Sequence, residues 1–433
     1  MNILKFIGTK IIGDSLIKNA MWLIIASFFS AFLGFIFWFV ASKYYNPRDI
    51  GITSAIFSAT SLISSISSIG LPTALIYYLP RNLKNSGKII NSCLMTSVSV
   101  SVLFSFIFLF GLGIWSPQLK VLADLKFAMI FILFTTITTV SGLMGGAFVA
   151  GRRSSYAMFK DNIYHIAKLF SLVIITGFGI LGIFISFSIG MMASIAMGFV
   201  LLYNTWKYIP TLKFDSIIKI MAKFSLESYI SENLYNLPKL VLPIIIINAI
   251  SAESAGYFYI AMTAAGLLPG ISQSISTSLL AESSDKEKFE NNLNKAIGLS
   301  MLLLIPGILF FIIFGKFILS IFSPIYANNA TDTLIILSIA SIPLSSINIF
   351  NGVRESQGRV ISTIKMNAIV AILTIILVAL LMKNIEGVAI AFLVANTIGA
   401  FVAISRIKNP IEFILKIINY YKDLRSVHHI FRD

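Results

Sequence analysis

A chain of 433 residues with 57% hydrophobic and only 12% charged side chains falls far short of the roughly 25% charge that clothes a water-soluble domain. That excludes a string of soluble domains and makes the spanning helix the unit of organisation. The net charge of +15, from 33 Lys and Arg against 18 acids, sits between apolar runs instead of on an aqueous domain. It therefore reads as a topology signal, and nucleic acid is excluded as a partner.

Met1 to Lys18 alternates basic and apolar residues and runs into the first apolar stretch with no small-residue cleavage site. It is expected to lie in the membrane interface, with Ile3, Leu4, Ile7, Ile11 and Ile12 toward lipid and Lys5 and Lys10 toward headgroups. Six spans follow at 20–42, 50–80, 89–114, 124–149, 155–177 and 181–206. The second, rich in Ser, is expected to be one continuous helix ending on Pro80 and Arg81. A basic segment, 207–223, leads to six more spans at 217–249, 256–281, 296–321, 330–353, 360–382 and 386–405. In the first of these, Pro238 and Pro243 are expected to break the helix. Beyond Pro410 the residues Ile411, Ile414, Ile417, Ile418 and Tyr421 recur at helical spacing, which suits a surface-lying amphipathic tail.

Most of the 33 Lys and Arg fall in the connections of one side, including Arg81, Lys84, Lys88, Arg152, Arg153, Lys160, Lys207, Lys213, Arg354 and Arg359, while Lys43, Arg48, Lys120, Lys126, Lys316 and Lys383 fall on the other. Both termini are therefore expected in the cytoplasm, on a multi-pass protein of the cytoplasmic membrane. The halves also repeat each other. Gly51, Ser116-Pro117, Gly151-Arg152, Asn162 and Gly182 return about 205 residues later as Gly256, Ser323-Pro324, Gly358-Arg359, Asn367 and Gly387. With six spans per half the repeats enter the membrane in the same direction. The expected fold is an all-α membrane protein of about 12 transmembrane helices in two parallel six-helix repeats. Its parts are an N-lobe at 1–206, a cytoplasmic linker at 207–223, a C-lobe at 224–408 and a cytoplasmic tail at 409–433.

Ionisable groups deep in a span are costly and usually face a bundle interior or a wet cavity. Two helices concentrate them. Asp161, His165 and Lys168 stand at i, i+4 and i+7, and Glu232, Asn236 and Lys239 repeat that spacing with Tyr235 beside them. A phosphate carrying sugars would be compensated by such cations and hydrogen-bonded by Asn and Tyr. Asn19, Arg81, Lys168, Lys239 and Arg354 are the candidates for phosphate contact. The bland alternatives are ion pairs, Asp161 with Lys168 and Glu232 with Lys239, and plain helix-end anchoring by Arg81 and Arg354. Gly177 to Gly182 satisfies GxGxxG without a preceding strand, and reads as a turn. One cysteine, Cys93, and three His without metal-ligand spacing give no basis for a disulfide framework, a metal site or a cofactor. No catalytic constellation emerges, so an enzyme is not expected.

Several stretches resemble one family. Lys18-Asn19-Ala20-Met21-Trp22, Lys43-Tyr44-Tyr45-Asn46-Pro47-Arg48-Asp49-Ile50-Gly51, Ile69-Gly70-Leu71-Pro72 with Arg81, Asn236-Leu237-Pro238-Lys239 and Glu253-Ser254-Ala255-Gly256-Tyr257 are similar to polysaccharide-exporter flippases. These are O-antigen-type lipid-linked oligosaccharide translocases of the multidrug/oligosaccharidyl-lipid/polysaccharide (MOP) superfamily. The resemblance implies two lobes in a V around a central cavity lined by the first and seventh spans. It implies alternating-access transport of a polyprenyl-phosphate-type sugar for cell-surface glycan synthesis. The implied partners are that lipid-linked substrate, membrane lipids and glycan-synthesis proteins, with a monomer as the working form and H+ or Na+ as a coupling ion. At Lys239 the sequence departs from the many relatives that carry an acid there. The alternatives are a cation-coupled multidrug exporter of the related multidrug and toxin extrusion branch, and a non-transporting scaffold.

Overall fold

The computed structural model describes residues 15–82, 85–211, 217–282 and 286–405. Every regular element among them is helical. In chain order the helices are α1 (Ser15–Tyr44), α2 (Pro47–Ser68), α3 (Leu71–Tyr78), α4 (Ser86–Phe110), α5 (Leu125–Ala150), α6 (Ser154–Ile174), α7 (Ile180–Trp206) and α8 (Ile217–Ala249). There follow α9 (Ala252–Ala265), α10 (Leu267–Glu282), α11 (Lys286–Phe322), α12 (Pro324–Ile339), α13 (Ser341–Ser356), α14 (Val360–Leu381) and α15 (Ile385–Ser405). The expected interfacial segment up to residue 14, part of the linker and the amphipathic tail lie outside the described residues.

Among the described residues nine helices are long and apolar enough to cross a membrane, and a tenth forms if α9 and the first turns of α10, bent by 43°, count as one span. The all-helical membrane architecture is as the composition requires, while the count of twelve goes beyond what these helices establish. In the first expected span Phe32–Tyr44 stands as a shorter apolar helix, and the other shortfall has a physical cause. The segment expected as the fifth span, α6, carries Lys160, Asp161 and Lys168 and is not apolar overall. The second expected span is not continuous. Ile69 and Gly70 take left-handed φ values of 47° and 69°, and the chain restarts at Leu71-Pro72 as α3. Gly70 suits that conformation because it has no Cβ, and Pro72 suits a first helical turn. Pro238 and Pro243, expected to break their helix, lie inside an unbroken α8. Each removes only one rung, leaving the carbonyls of Leu234 and Lys239 without their usual donors, and the remaining ladder carries the helix through.

The chain divides into two compact units, Leu33–Ile260 and a second comprising the described residues up to Phe32 and from Ala261 onward. In the first unit α5 packs on α2, α3, α4 and α7, α6 pairs with α7, and α8 lies along α2 and α3. Asn46 caps α2 by accepting from the Asp49 N–H at 2.8 Å, with Pro47 in the first turn. Phe37, Trp38, Phe134, Phe184 and Phe187, all buried, form an aromatic core with ring centroids 4.8–6.1 Å apart. The first turns of α2 and α9 meet backbone to backbone. A Cβ on Gly51 would collide with the Ala252 carbonyl, and one on Gly256 with that of Pro47. These are the two glycines that the internal repeat makes equivalent.

In the second unit α10 packs on α11 and α13, α11 on α12, α14 on α15, and α15 on α12 and α13. Ile275, Ala296, Ile297, Leu299, Ile349 and Val353 form a buried core cluster. Ser276 donates to the Asn348 carbonyl at 2.7 Å, and the Asn348 amide donates to Ser272 at 2.9 Å, so α10 and α13 are joined by buried polar contacts as well as apolar packing.

Candidate functional site

Helix α6 is built inside out for its surroundings. Met158, Phe159, Ile166, Phe170, Val173 and Ile174 are exposed, whereas Lys160, Lys168, Ser171 and Leu172 are buried. The buried side faces α7 closely, because a Cβ on Gly190 would lie 2.7 Å from the Lys168 Cβ and 2.8 Å from the Tyr164 carbonyl. Lys168 is 4% exposed. Its Nζ lies 4.5 Å from the ring centroid of Tyr164, 4.8 Å from Phe37 and 5.1 Å from Phe187, within a box contributed by α1, α6 and α7. Among the described residues no carboxylate pairs with it. Ring faces offset part of the cost of burying an ammonium, about 0.5–2 kcal/mol each, but supply no net negative charge.

The three residues of the α6 stripe are not brought together. Asp161 accepts from Lys160 Nζ at 2.6 Å with its side chain 55% exposed, so the Asp161–Lys168 ion pair does not form. Lys160 also donates to Ser141 on α5 at 2.6 Å. His165 rests edge-on against Tyr164, and its Nδ1 is buried with no hydrogen-bond partner among the described residues.

On α8 the contacts run to the break between α2 and α3. Ser65 donates to Asn233 at 2.6 Å, and the Tyr229 hydroxyl donates to the Ile66 carbonyl at 2.7 Å. Asn236, Glu232 and Lys239 are turned about 40–100° from the middle of that bonded face. Glu232 is exposed, while Tyr235, Asn236 and Lys239 are half-buried. Lys239 Nζ lies 4.2 Å from the Tyr235 ring centroid, and among the described residues it has no carboxylate partner, so the Glu232–Lys239 pair does not form either. Arg81 is exposed at the end of α3, donating to the Tyr77 carbonyl at 2.7 Å and lying 3.5 Å from the Tyr77 ring centroid. Arg354, in the last turn of α13 in the second unit, donates to Gln357 at 3.2 Å and lies over Phe350. Asn19 falls in α1, where its side chain lies outside the described residues. No group of three or more His, Cys, Asp or Glu able to hold a metal occurs among the described residues.

The site thus presents two half-buried or buried ammonium groups, on α6 and α8, each set against aromatic faces and, among the described residues, neither paired with an acid. The polysaccharide biosynthesis protein family matches residues 16–278, more than half the chain. The chain belongs to that family.

Its fold is that of solved MOP superfamily members. It superimposes on the lipid II flippase MurJ in an inward closed conformation with a TM-score of 0.73 at 17% identity, over 95% of this chain and 93% of the other. An inward-facing multidrug resistance MATE family transporter of the MOP superfamily matches with a TM-score of 0.66 at 14% identity, over 91% and 96% of the two chains. A MOP superfamily transporter from Pyrococcus furiosus, described as having a binding pocket of reverse polarity that suggests a different function, matches at 0.62 and 14% identity, over 96% and 98%. A comparison with curated protein sequences finds no match.

Some of what surrounds the candidate lysines was not singled out from the sequence. Lys160 reads there as a connection charge, yet Lys160, Tyr164, Lys168 and Ser171 are spaced by four, four and three and share the inward side of α6. Phe37 and Phe187 carry no signal, because an aromatic in an apolar span is ordinary until the fold sets it against a cation.

Proposed function

We propose that this protein is a flippase that carries a lipid-linked oligosaccharide of the polyprenyl-phosphate type from the cytoplasmic to the outer leaflet. Membership of a polysaccharide biosynthesis family supports the pathway, and the MurJ-like fold supports the class of movement. The observation that carries the reading is the Lys168 ammonium, buried among three rings with no acid beside it among the described residues. An uncompensated cation in low dielectric attracts a phosphate and repels a cationic drug. Lys239, with Tyr235, adds a second such group, and Asn236 can hydrogen-bond sugar hydroxyls.

In this reading the two halves are parallel repeats that rock about the cargo, both termini are cytoplasmic, and the protein works as a monomer in the cytoplasmic membrane with glycan-synthesis enzymes as functional neighbours. Asn19, Arg81 and Arg354 join Lys168 and Lys239 as phosphate contacts along the path, with Asp161, His165 and Glu232 as polar lining and an H+ or Na+ gradient as the driver. The test is headgroup translocation in liposomes. Wild-type protein moves a fluorescent polyprenyl-pyrophosphate sugar, and Lys168→Met or Lys239→Gln slows it at least tenfold. Equal rates in wild type and both variants refute the assignment.

The second reading, a cation-coupled multidrug exporter, draws on the MATE folds and on exposed Glu232. It predicts that Glu232→Gln abolishes efflux of cationic dyes while Lys168→Met does not.

A further inference from the structure

The end of α5, the start of α6 and the end of α7 meet in a collar that neither lysine stripe uses. A Cβ on Gly151 would come within 2.6 Å of the Trp206 indole. Phe148 stacks on Trp206 at 6.3 Å and meets Tyr156 edge-on at 5.9 Å. Arg153 bridges the two turns, its Nη1 donating to the Tyr156 hydroxyl and to Thr205 Oγ1, each at 3.2 Å. Arg152 and Arg153 lie on the turn that follows Gly151, and Lys207 follows Trp206 on the other, its Nζ 5.2 Å from the Tyr203 ring centroid. All three are exposed, and among the described residues no carboxylate pairs with any of them.

Two further features mark the collar as built. Tyr208 and the backbone N–H of Thr211 both donate to Asn91 on α4, at 3.1 and 2.9 Å, which fixes the exit of α7 and hence Lys207. Arg152 and Lys207 also hold left-handed backbone, φ 56° and 51°, where glycine is the low-cost residue. At the matching turn of the other half, where the repeat sets Gly358-Arg359 against Gly151-Arg152, the left-handed residue is the glycine, φ 68°. In the first half the strained conformation falls on long cations instead, Arg152 and Lys207.

We propose that this collar binds an anionic glycerophospholipid, its phosphate taken by Arg152, Arg153 and Lys207 and its acyl chains running along Met158 and Phe159, which stand exposed on the adjoining turns of α6. Trp206, Tyr156 and Tyr203 belong at headgroup level, where amphipathic rings collect. Clustered Arg and Lys beside a span attract anionic headgroups. The planar guanidinium forks suit phosphate, and the apolar surface below gives a lipid an advantage that a free anion lacks. Only the leaflet, the cytoplasmic one, rests on the orientation proposed above; the binding does not.

The test is retention of phosphatidylglycerol by the full chain released from mixed phosphatidylcholine and phosphatidylglycerol nanodiscs, counted by native mass spectrometry. Wild type retains phosphatidylglycerol over phosphatidylcholine. Arg152→Gln, Arg153→Gln and Lys207→Gln together lower its affinity roughly a hundredfold, about fivefold for each cation. Arg152→Lys with Arg153→Lys keeps it within a few-fold. Arg152→Gly removes one cation while relaxing the backbone, so its loss of lipid cannot come from misfolding. Lys126→Gln, Lys316→Gln and Lys383→Gln, on the side assigned outward, leave retention unchanged. Wild-type retention in the triple collar variant overturns the proposal, as does an equal loss in the outward triple. Displacement by glycerol phosphate as readily as by intact lipid also overturns it, since the site would then be one for soluble anions. No transport is measured, so a negative result here and a failed flippase assay remain separable.

Discussion

Replacing Lys168 with Met separates a functional cation from a structural one. The side chain is 4% exposed, and three rings stand 4.5–5.1 Å from its Nζ. At about 0.5–2 kcal/mol per ring the faces contribute a few kcal/mol, while desolvating an ammonium costs several. The two nearly cancel. Methionine keeps most of the length and apolar contact and removes the charge, so the thermal midpoint of Lys168→Met in detergent should stay level or rise slightly. Lys168→Ala removes three methylenes at about 0.8 kcal/mol each and leaves a cavity, for a loss of about 3 kcal/mol. Transport should order differently. Met and Ala variants should both fall at least tenfold in the liposome assay, while Lys168→Arg keeps measurable activity. The assays are a thermal melt followed by intrinsic fluorescence and headgroup translocation on the same preparations. If Lys168→Met melts as low as Lys168→Ala, the cation is holding the fold and the reasoning fails. If it melts normally and transports normally, the charge has no part in the cargo path.

Gly51→Ala and Gly256→Ala each place a Cβ into a facing carbonyl, so either should cost several kcal/mol or open the α2–α9 crossing, read as a lowered melt or faster trypsin cleavage at the hairpin. Ser65→Ala takes the donor from the half-buried Asn233 Oδ1 and should cost about 1 kcal/mol; an unchanged melt would mean that water replaces the bond. Arg152→Gly should raise stability by about 1 kcal/mol, because the left-handed φ of 56° costs a residue with a Cβ and not glycine. Glu232→Gln with Lys239→Gln should leave a scaffold working and disable a transporter, with surface glycan in a complemented deletion strain as the readout.

Much of the helical order could be read from the sequence because lipid demands it: long apolar runs such as 180–206, 296–322 and 360–381 have no other stable form. The interruptions were harder. Ile69 and Gly70 lie in a Ser-rich apolar run with no charge to mark the stop, and only the left-handed pair divides α2 from α3. Pro238 and Pro243 look like breaks, yet α8 continues through them, since a missing rung differs from a missing helix. At the site, the spacing of Asp161, His165 and Lys168 suggested one face, but Lys160 captures Asp161 from the adjacent position. Local spacing registers the turn of a helix and not which neighbour reaches first. Lys168 was visible as an oddity; the rings of Phe37 and Phe187 that surround it come from two other helices.

The reversed polarity of α6 bears on how the chain is made. A segment whose inward side carries Lys160 and Lys168 gains little by partitioning alone into a bilayer, where each lysine near the centre costs about 2.5–3.5 kcal/mol. The following helix supplies what it lacks, a close-fitting partner at Gly190. Synthesis should therefore hold α6 at the translocon until α7 has emerged, then release both as one hairpin. A photo-crosslinker in α6 would still reach the translocon in nascent chains whose last emerged residue is 178, and would lose that contact once residue 206 has emerged; early release in the shorter set would rule out this order.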